Sequence, residues 1–330
     1  MACQAQRAIF PYDHTNLTGI DRTMHSRLKQ PLERALGSPG VTWITRRRLR
    51  GKRLVLAYHG IIPEGASQAG ERALFISQRD FAAQLDMLCE VADVASLTNL
   101  DEEGNGRPRV AITIDDAYAG IVDEGVHELV LRSLPATIFV APGRLDGHTF
   151  WWDALSHPIG KLDSRVRDYA LYSLAGCDER VREWAMRTGL PVTTDVPEYA
   201  RSASTDRLRA AVDHPGITVA SHTWSHANLA SLSAPEIVSE LDRSRSWVKS
   251  EFPGKAIDWL AYPYGLDSSA VHRAAAACSY TGGLRIMGGW HNIPIGSSYA
   301  RPRLNVSSSL SLAGLRARVL GAVRLRGGTR

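Results

Sequence analysis

The sequence has no Cys-x-x-Cys pair: its four cysteines, Cys3, Cys89, Cys177 and Cys278, lie far apart. That spacing excludes a cysteine zinc knuckle and a small disulfide scaffold, and reduced, buried thiols are the simplest reading. No stretch approaches the ~20 consecutive apolar residues of a membrane-spanning helix. The opening residues, MACQAQRAIFPYDHTNLTG, lack the basic start and apolar run of a secretory signal, so a cytoplasmic protein is expected. There is no Gly-x-Ser-x-Gly elbow for a serine hydrolase, and no phosphate-binding glycine loop follows a strand. Neither sign of charge dominates: 39 basic against 34 acidic residues leave +5, too diffuse for nucleic acid, and no nucleic-acid partner is expected.

What is present is ordinary globular composition, 44% hydrophobic and 22% charged with 28 glycines and 16 prolines, which rules out disordered, collagenous and coiled-coil chains. The 330 residues are about twice the usual domain length, enough for two domains or for one barrel of about 200–250 residues with appendages.

From residue 54 onward, short runs rich in Val, Ile and Leu alternate with helical patterns, the signature of parallel strands buried under crossover helices. Strands are predicted at Leu54–Tyr58, Val91–Leu97, Val110–Ile114, Ala136–Val140, Ile217–Ser221, Ile257–Tyr262 and Ala300–Val306. Helices are predicted at Gln78–Glu90, Ala119–Arg132, Ala234–Glu251 and Ser268–Ala277, the third capped by Ser233. About seven βα units suit an α/β barrel over residues 51–310. Residues 150–214 break the rhythm with helical, charged sequence and no strand, and read as a helical insertion. Residues 1–50 form an N-terminal extension ending in a basic cluster (Arg46, Arg47, Arg48, Arg50, with Lys52 and Arg53 beyond). Residues 311–330 form a basic helix or tail, in which Leu312, Leu315, Val319 and Val323 recur among Arg316, Arg318, Arg324 and Arg326. These two basic segments would suit peripheral contact with an anionic inner membrane face; solvated tails and a helix packed on the barrel are the alternative.

In a parallel barrel the active site is built at the C-terminal ends of the strands. His59 follows LVLAY; Asp115 and Asp116 follow VAITI; His222 and His226 follow ITVAS; Pro263, Tyr264 and Gly265 follow DWLAY. Two imidazoles and a carboxylate are a standard ligand set for a divalent metal, leaving positions open for water and substrate. Adjacent carboxylates point in different directions, so one can bind the metal while the other takes a proton from water. Each signal alone is weak, since an Asp-Asp pair often caps a turn and His-x3-His is often a surface pair. Their joint placement on one rim is what carries weight.

The runs TIDDAY (113–118), SHTWSH (221–226) and YPYG (262–265) resemble, in order and spacing, three motifs of the NodB-like polysaccharide deacetylases, carbohydrate esterase family four. The resemblance covers approximately residues 52–306. It implies a distorted (β/α)7 barrel and metal-dependent removal of an N-acetyl group from an amino sugar in a polysaccharide, oligosaccharide or glycan precursor. It also implies that Asp115 is the catalytic base and that Asp116, His222 and His226 hold the metal. Zinc is the first choice; cobalt, nickel, iron and manganese are alternatives. Tyr264, with Pro263 before it, matches the position whose backbone N–H helps hold the oxyanion.

Three departures from that pattern matter. The late Leu-x-His motif that usually supplies the general acid is missing from RPRLNVSSSLSL. His59 is the replacement candidate, as in branches of the family with an N-terminal acid histidine; His291 is a weaker one. The glycine that usually follows the Asp pair is Ala117, tolerable unless that residue needs positive φ. The arginine that often orients the catalytic Asp is replaced by Ala261, leaving Arg303 or Arg301 to supply the charge. Trp151 and Trp152 follow the fourth strand of the series and could stack on sugar rings or pack the insertion on the barrel; Asp153 could cap their helix. Two other readings stay open: deformylation or deacylation of a lipid-linked amino sugar, and a catalytically silent, metal-stabilised carbohydrate-binding protein.

Overall fold

The computed structural model describes residues 49, 52–104, 106–156, 160–292 and 298–321. Seven parallel strands form the barrel: β1 (Lys52–Tyr58), β2 (Arg109–Ile114), β3 (Ala136–Val140), β4 (Ile217–Ser221), β5 (Ala256–Ala261), β6 (Gly282–Ile286) and β7 (Arg301–Asn305). Each pairs with the next, and β7 closes the ring on β1 through Leu56↔Leu304. The strands are apolar because both faces are covered: every residue of β2 and β3 is buried.

Alternation decides which residues face inward. Val55, Ala111, Phe139, Ala220, Ala261 and Leu284, one from each of six strands, pack together inside the ring. Leu54, Leu56, Val110, Ile112, Ile138 and Val219, of the opposite parity, join the core formed with the helices. Continued in steps of two toward the C-terminal ends, the inward parity of Ala111 leads through Thr113 to Asp115, and that of Ala220 directly to His222.

The helices are α1 (Gln78–Val91), α2 (Val126–Leu131), α3 (Trp151–Ser156), α4 (Ser164–Asp168), α5 (Asp178–Arg187), α6 (Thr205–Asp213), α7 (Ala234–Glu251), α8 (Ser269–Ala277) and α9 (Leu312–Val319). Ser233 and Glu236 form a capping box at α7. Between β3 and β4 the described residues hold helices α3 to α6 and no barrel strand. In α9 the apolar positions Leu315 and Val319 are buried and Arg316 pairs with Glu90 of α1 at 2.7 Å. This apolar face is therefore spent on the barrel, which is the alternative that the sequence offered for the C-terminal helix. The basic residues Arg46–Arg50, Arg324 and Arg326 lie outside the described residues. Among the described residues no helix is long and apolar enough to cross a membrane.

Two strand assignments change. The run Val91–Leu97 is not one strand: α1 continues through Val91, and only Asp93–Val94 pair, beside β2. Leu97 and Leu100 instead turn under the barrel and join its interior cluster. The strand β6, sequence GGLRI, was not expected, because two glycines and an arginine hide the apolar pattern. Both glycines are needed: a Cβ on Gly283 would meet the Tyr262 hydroxyl at 2.1 Å, and one on Gly282 the Trp259 ring at 2.6 Å.

Candidate active site

Asp115 ends β2 with only 2% of its surface exposed, and Arg303 of β7 is fully buried beside it. Arg303 donates from Nη1 to Oδ1 and from Nη2 to Oδ2, both at 2.7 Å, and from Nη1 to Thr113 Oγ1 at 3.1 Å. The Thr113 hydroxyl can accept because its own proton goes to the Leu56 carbonyl at 2.7 Å. Burial pushes the Asp115 carboxyl up, but the Arg303 guanidinium, aided by His222 and His59, outweighs it and holds the group well below the usual carboxylate range. Arg301, two residues earlier, points inward at the opposite end, where it pairs with Asp101 at 2.6 Å.

Asp116 faces elsewhere because the chain reverses there. Ala117 N–H returns to the Asp115 carbonyl at 2.9 Å, and both Asp116 and Ala117 have positive φ, 68° and 51°. Ala117 thus occupies the backbone region that favours glycine. Thr223 and His226 are also left-handed, at 65° and 61°, so the His222–His226 segment is a turn rather than a helix. The turn is fixed by Thr223 Oγ1 accepting from His226 N–H at 3.1 Å, and by Glu240 of α7 accepting from Ser225 N–H and Oγ–H at 2.8 Å.

These turns bring Asp116 Oδ1 within 3.1 Å of His226 Nε2 and 3.5 Å of His222 Nε2, with the two Nε2 atoms 3.2 Å apart. His222 Nδ1 donates to the Ala261 carbonyl at 2.8 Å, which turns the Nε2 lone pair toward the cluster. Burial lowers the His222 imidazole and takes His226 down to about 3, which favours the neutral rings that a metal would need, while burial raises the Asp116 carboxyl. Two imidazole lone pairs and a carboxylate oxygen thus converge, and Asp116 Oδ1 is buried without a hydrogen-bond donor. That donor set fits a divalent cation and little else. Among the described residues it is the only such group of three.

His59 is partly exposed, with Nε2 3.9 Å from Asp115 Oδ2; burial lowers its imidazole and the Asp115 carboxylate opposes that. His291 is far from this constellation: it pairs with Arg53 at the start of β1, on the barrel floor. Tyr264 adopts φ 60°, and its hydroxyl accepts from Trp151 Nε1 at 3.0 Å and donates to the Gly176 carbonyl at 3.2 Å. Pro263 before it is buried.

Trp151 and Trp152 do not present free faces for a sugar ring. They are 1% and 4% exposed, because both indole N–H groups are satisfied internally and the rings fill space behind the triad. Trp152 and Tyr264 each lie 4.8 Å from the His226 ring, and Trp152 stacks on Phe150 at 4.5 Å. Asp153 does not cap α3; it bonds Tyr118 and the backbone of Glu71. Thr113, Tyr118 and Phe150 also shape the site. Thr113 and Tyr118 lie inside the TIDDAY run, whereas Phe150 carried no sequence signal.

Comparison with known proteins agrees with this geometry. Residues 102–283, more than half of the chain, match the family described as polysaccharide deacetylase. No curated protein matches the chain significantly. Solved structures do: the Streptococcus pyogenes deacetylase PplD in complex with acetate has a TM-score of 0.56 at 16% identity, covering 81% of this chain and 98% of that one. A polysaccharide deacetylase from Bacillus cereus has a TM-score of 0.57 at 16% identity, covering 81% and 69%. IcaB from Ammonifex degensii has a TM-score of 0.55 at 16% identity, covering 82% and 97%. At such identities these likenesses concern the fold, a closed (β/α)7 barrel of the NodB type. The family match, placed over the strand ends that carry Asp115, Asp116, His222, His226 and Tyr264, identifies the chain as a member of the polysaccharide deacetylase family.

Proposed function

We propose that this chain is a metal-dependent hydrolase that removes the N-acetyl group from an amino sugar of a glycan, releasing acetate and a free amine. The observation that carries this reading is the Asp116–His222–His226 cluster beside an Asp115 held ionised by Arg303. A divalent cation bound by those three residues, zinc being our first choice, would supply Lewis acidity to the amide carbonyl and acidify water.

The chain's own groups then have separate tasks. Asp115, with both oxygens tied to Arg303, keeps a fixed orientation and a negative charge, and accepts the proton of the attacking water. A carboxylate held this low is a weak base, so it works only on water that is already acidified. His59, on the open side of Asp115, is placed to pass a proton to the leaving amine, which departs poorly as an anion. The backbone at Tyr264, turned by its positive φ, is the candidate donor to the oxyanion. The tightly packed Trp151, Trp152 and Phe150 exclude water behind the triad.

The test is mass spectrometry of N-acetylated oligosaccharides and glycolipids incubated with metal-loaded protein. Loss of one acetyl group per reactive residue is expected, abolished in Asp115→Asn while that variant still binds metal. Wild-type protein that binds glycans yet leaves every acyl group in place would overturn the enzymatic reading.

A further inference from the structure

We propose that Asp153 is a positioning residue: through Tyr118 it locks the Trp152 indole against the ring of His226. The inference rests on reading His226 as a metal ligand. Asp153 is fully buried in the first turn of α3. Its Oδ2 accepts from the Tyr118 hydroxyl at 2.6 Å, and its Oδ1 from the Glu71 backbone N–H at 2.7 Å. The Tyr118 oxygen in turn accepts from Trp152 Nε1–H at 2.9 Å. The donors run from indole to phenol to carboxyl, which ties the three side chains to one another.

What this chain fixes is the wall of the triad. Trp152 lies 4.8 Å from His226 and stacks on Phe150, which itself lies 5.7 Å from His226. His226 Nδ1 is buried with no hydrogen-bond partner, so unlike His222 its ring is oriented by packing rather than by a carbonyl. The aromatic wall does for His226 what the Ala261 carbonyl does for His222. A buried carboxyl with no cation bonded to it costs stability that an apolar residue would not, and burial raises this one to about 7. The backbone also closes around it: a Cβ on Gly70 would fall 2.5 Å from Asp153 Oδ1.

Cobalt binding to the full chain tests the idea without substrate, read as affinity and as the visible absorption band of the bound ion. Wild type is expected to bind one Co2+, lost in His226→Ala. Tyr118→Phe, Asp153→Asn and Trp152→Phe, each checked for folding by circular dichroism, are expected to weaken Co2+ about tenfold and to shift the band. Tyr118→Phe combined with Asp153→Asn should be no worse than either alone, because they cut one chain. Wild-type affinity and spectrum in any one of the three, folded, overturn the positioning role. Binding unaffected by His226→Ala overturns the metal reading instead, and the proposal with it.

Discussion

Replacing Arg303 by Met removes the counter-charge of Asp115 while keeping much of the volume of a side chain that is fully buried. Two charge-assisted bonds of 2.7 Å are lost, and the buried carboxylate is left without its cation. Breaking a buried pair from one side costs about 3–5 kcal/mol, a large share of the roughly 5–15 kcal/mol that holds a domain folded. The pH dependence fixes the cause. In the wild type the Asp115 carboxyl is held below its unfolded value near ~3.9, so the pair stabilises fully above that pH and is lost as pH falls through the lower, folded value. In Arg303→Met burial loses its main opponent, with only His222 and His59 left against it, so the carboxyl rises and the penalty shrinks as acid protonates Asp115. Urea unfolding at pH 7 and pH 5, with equal slopes confirming two-state behaviour, reads both effects. Asp115→Asn with Arg303→Met should cost less than the two single losses summed, by about 1–3 kcal/mol. A penalty under about 1 kcal/mol at pH 7, or strict additivity, would refute the picture of a desolvated pair.

Divalent metal at about one hundred times its dissociation constant should stabilise the protein by about 2.7 kcal/mol, seen as a rise in melting temperature that His226→Ala abolishes. Ala117→Gly should raise stability by up to about 1 kcal/mol, since Ala117 sits at φ 51°; a lower unfolding midpoint would mean that the lost methyl contact outweighs the strain. Asp153, raised by burial to about 7, contributes stability as the neutral acid, lost as pH rises from about 4 to about 7. The urea midpoint of the wild type should therefore fall relative to Asp153→Asn between pH 5 and pH 8. Arg316→Ala removes a pair whose Glu90 side chain is mostly exposed and should cost less than about 1 kcal/mol, screened by salt.

The barrel was legible because buried parallel strands need apolar runs, and β1 to β4 have them, while β5 and β7 were found from shorter apolar stretches at a regular spacing. The strand that was missed, β6, has its apolar pattern replaced by glycines that Tyr262 and Trp259 demand, a requirement no local window contains. The cluster of Asp and His residues at strand ends was legible for the same topological reason. The choice between Arg301 and Arg303 turned on height alone. Both face inward, as residues two apart on a strand must, but about 6–7 Å of strand separates them. The later one sits at the end that carries Asp115 and the earlier one at the floor, beside Asp101. The burial of Trp151 and Trp152 could not be read locally, because it depends on Tyr118 and Tyr264, which arrive from other strands.

The pair between Asp115 and Arg303 also orders events in time. The partners are 188 positions apart, and the strand that carries Arg303 is the one that closes the ring. As the chain is made, β1 to β6 can align in sequence, bringing Asp116, His222 and His226 together while Asp115 still lacks its cation. A six-stranded sheet without β7 would have two open edges and an uncompensated carboxylate at its mouth, both of which favour hydration over packing. Docking of β7 removes both at once. Ring closure and the neutralisation of Asp115 therefore rest on one and the same strand.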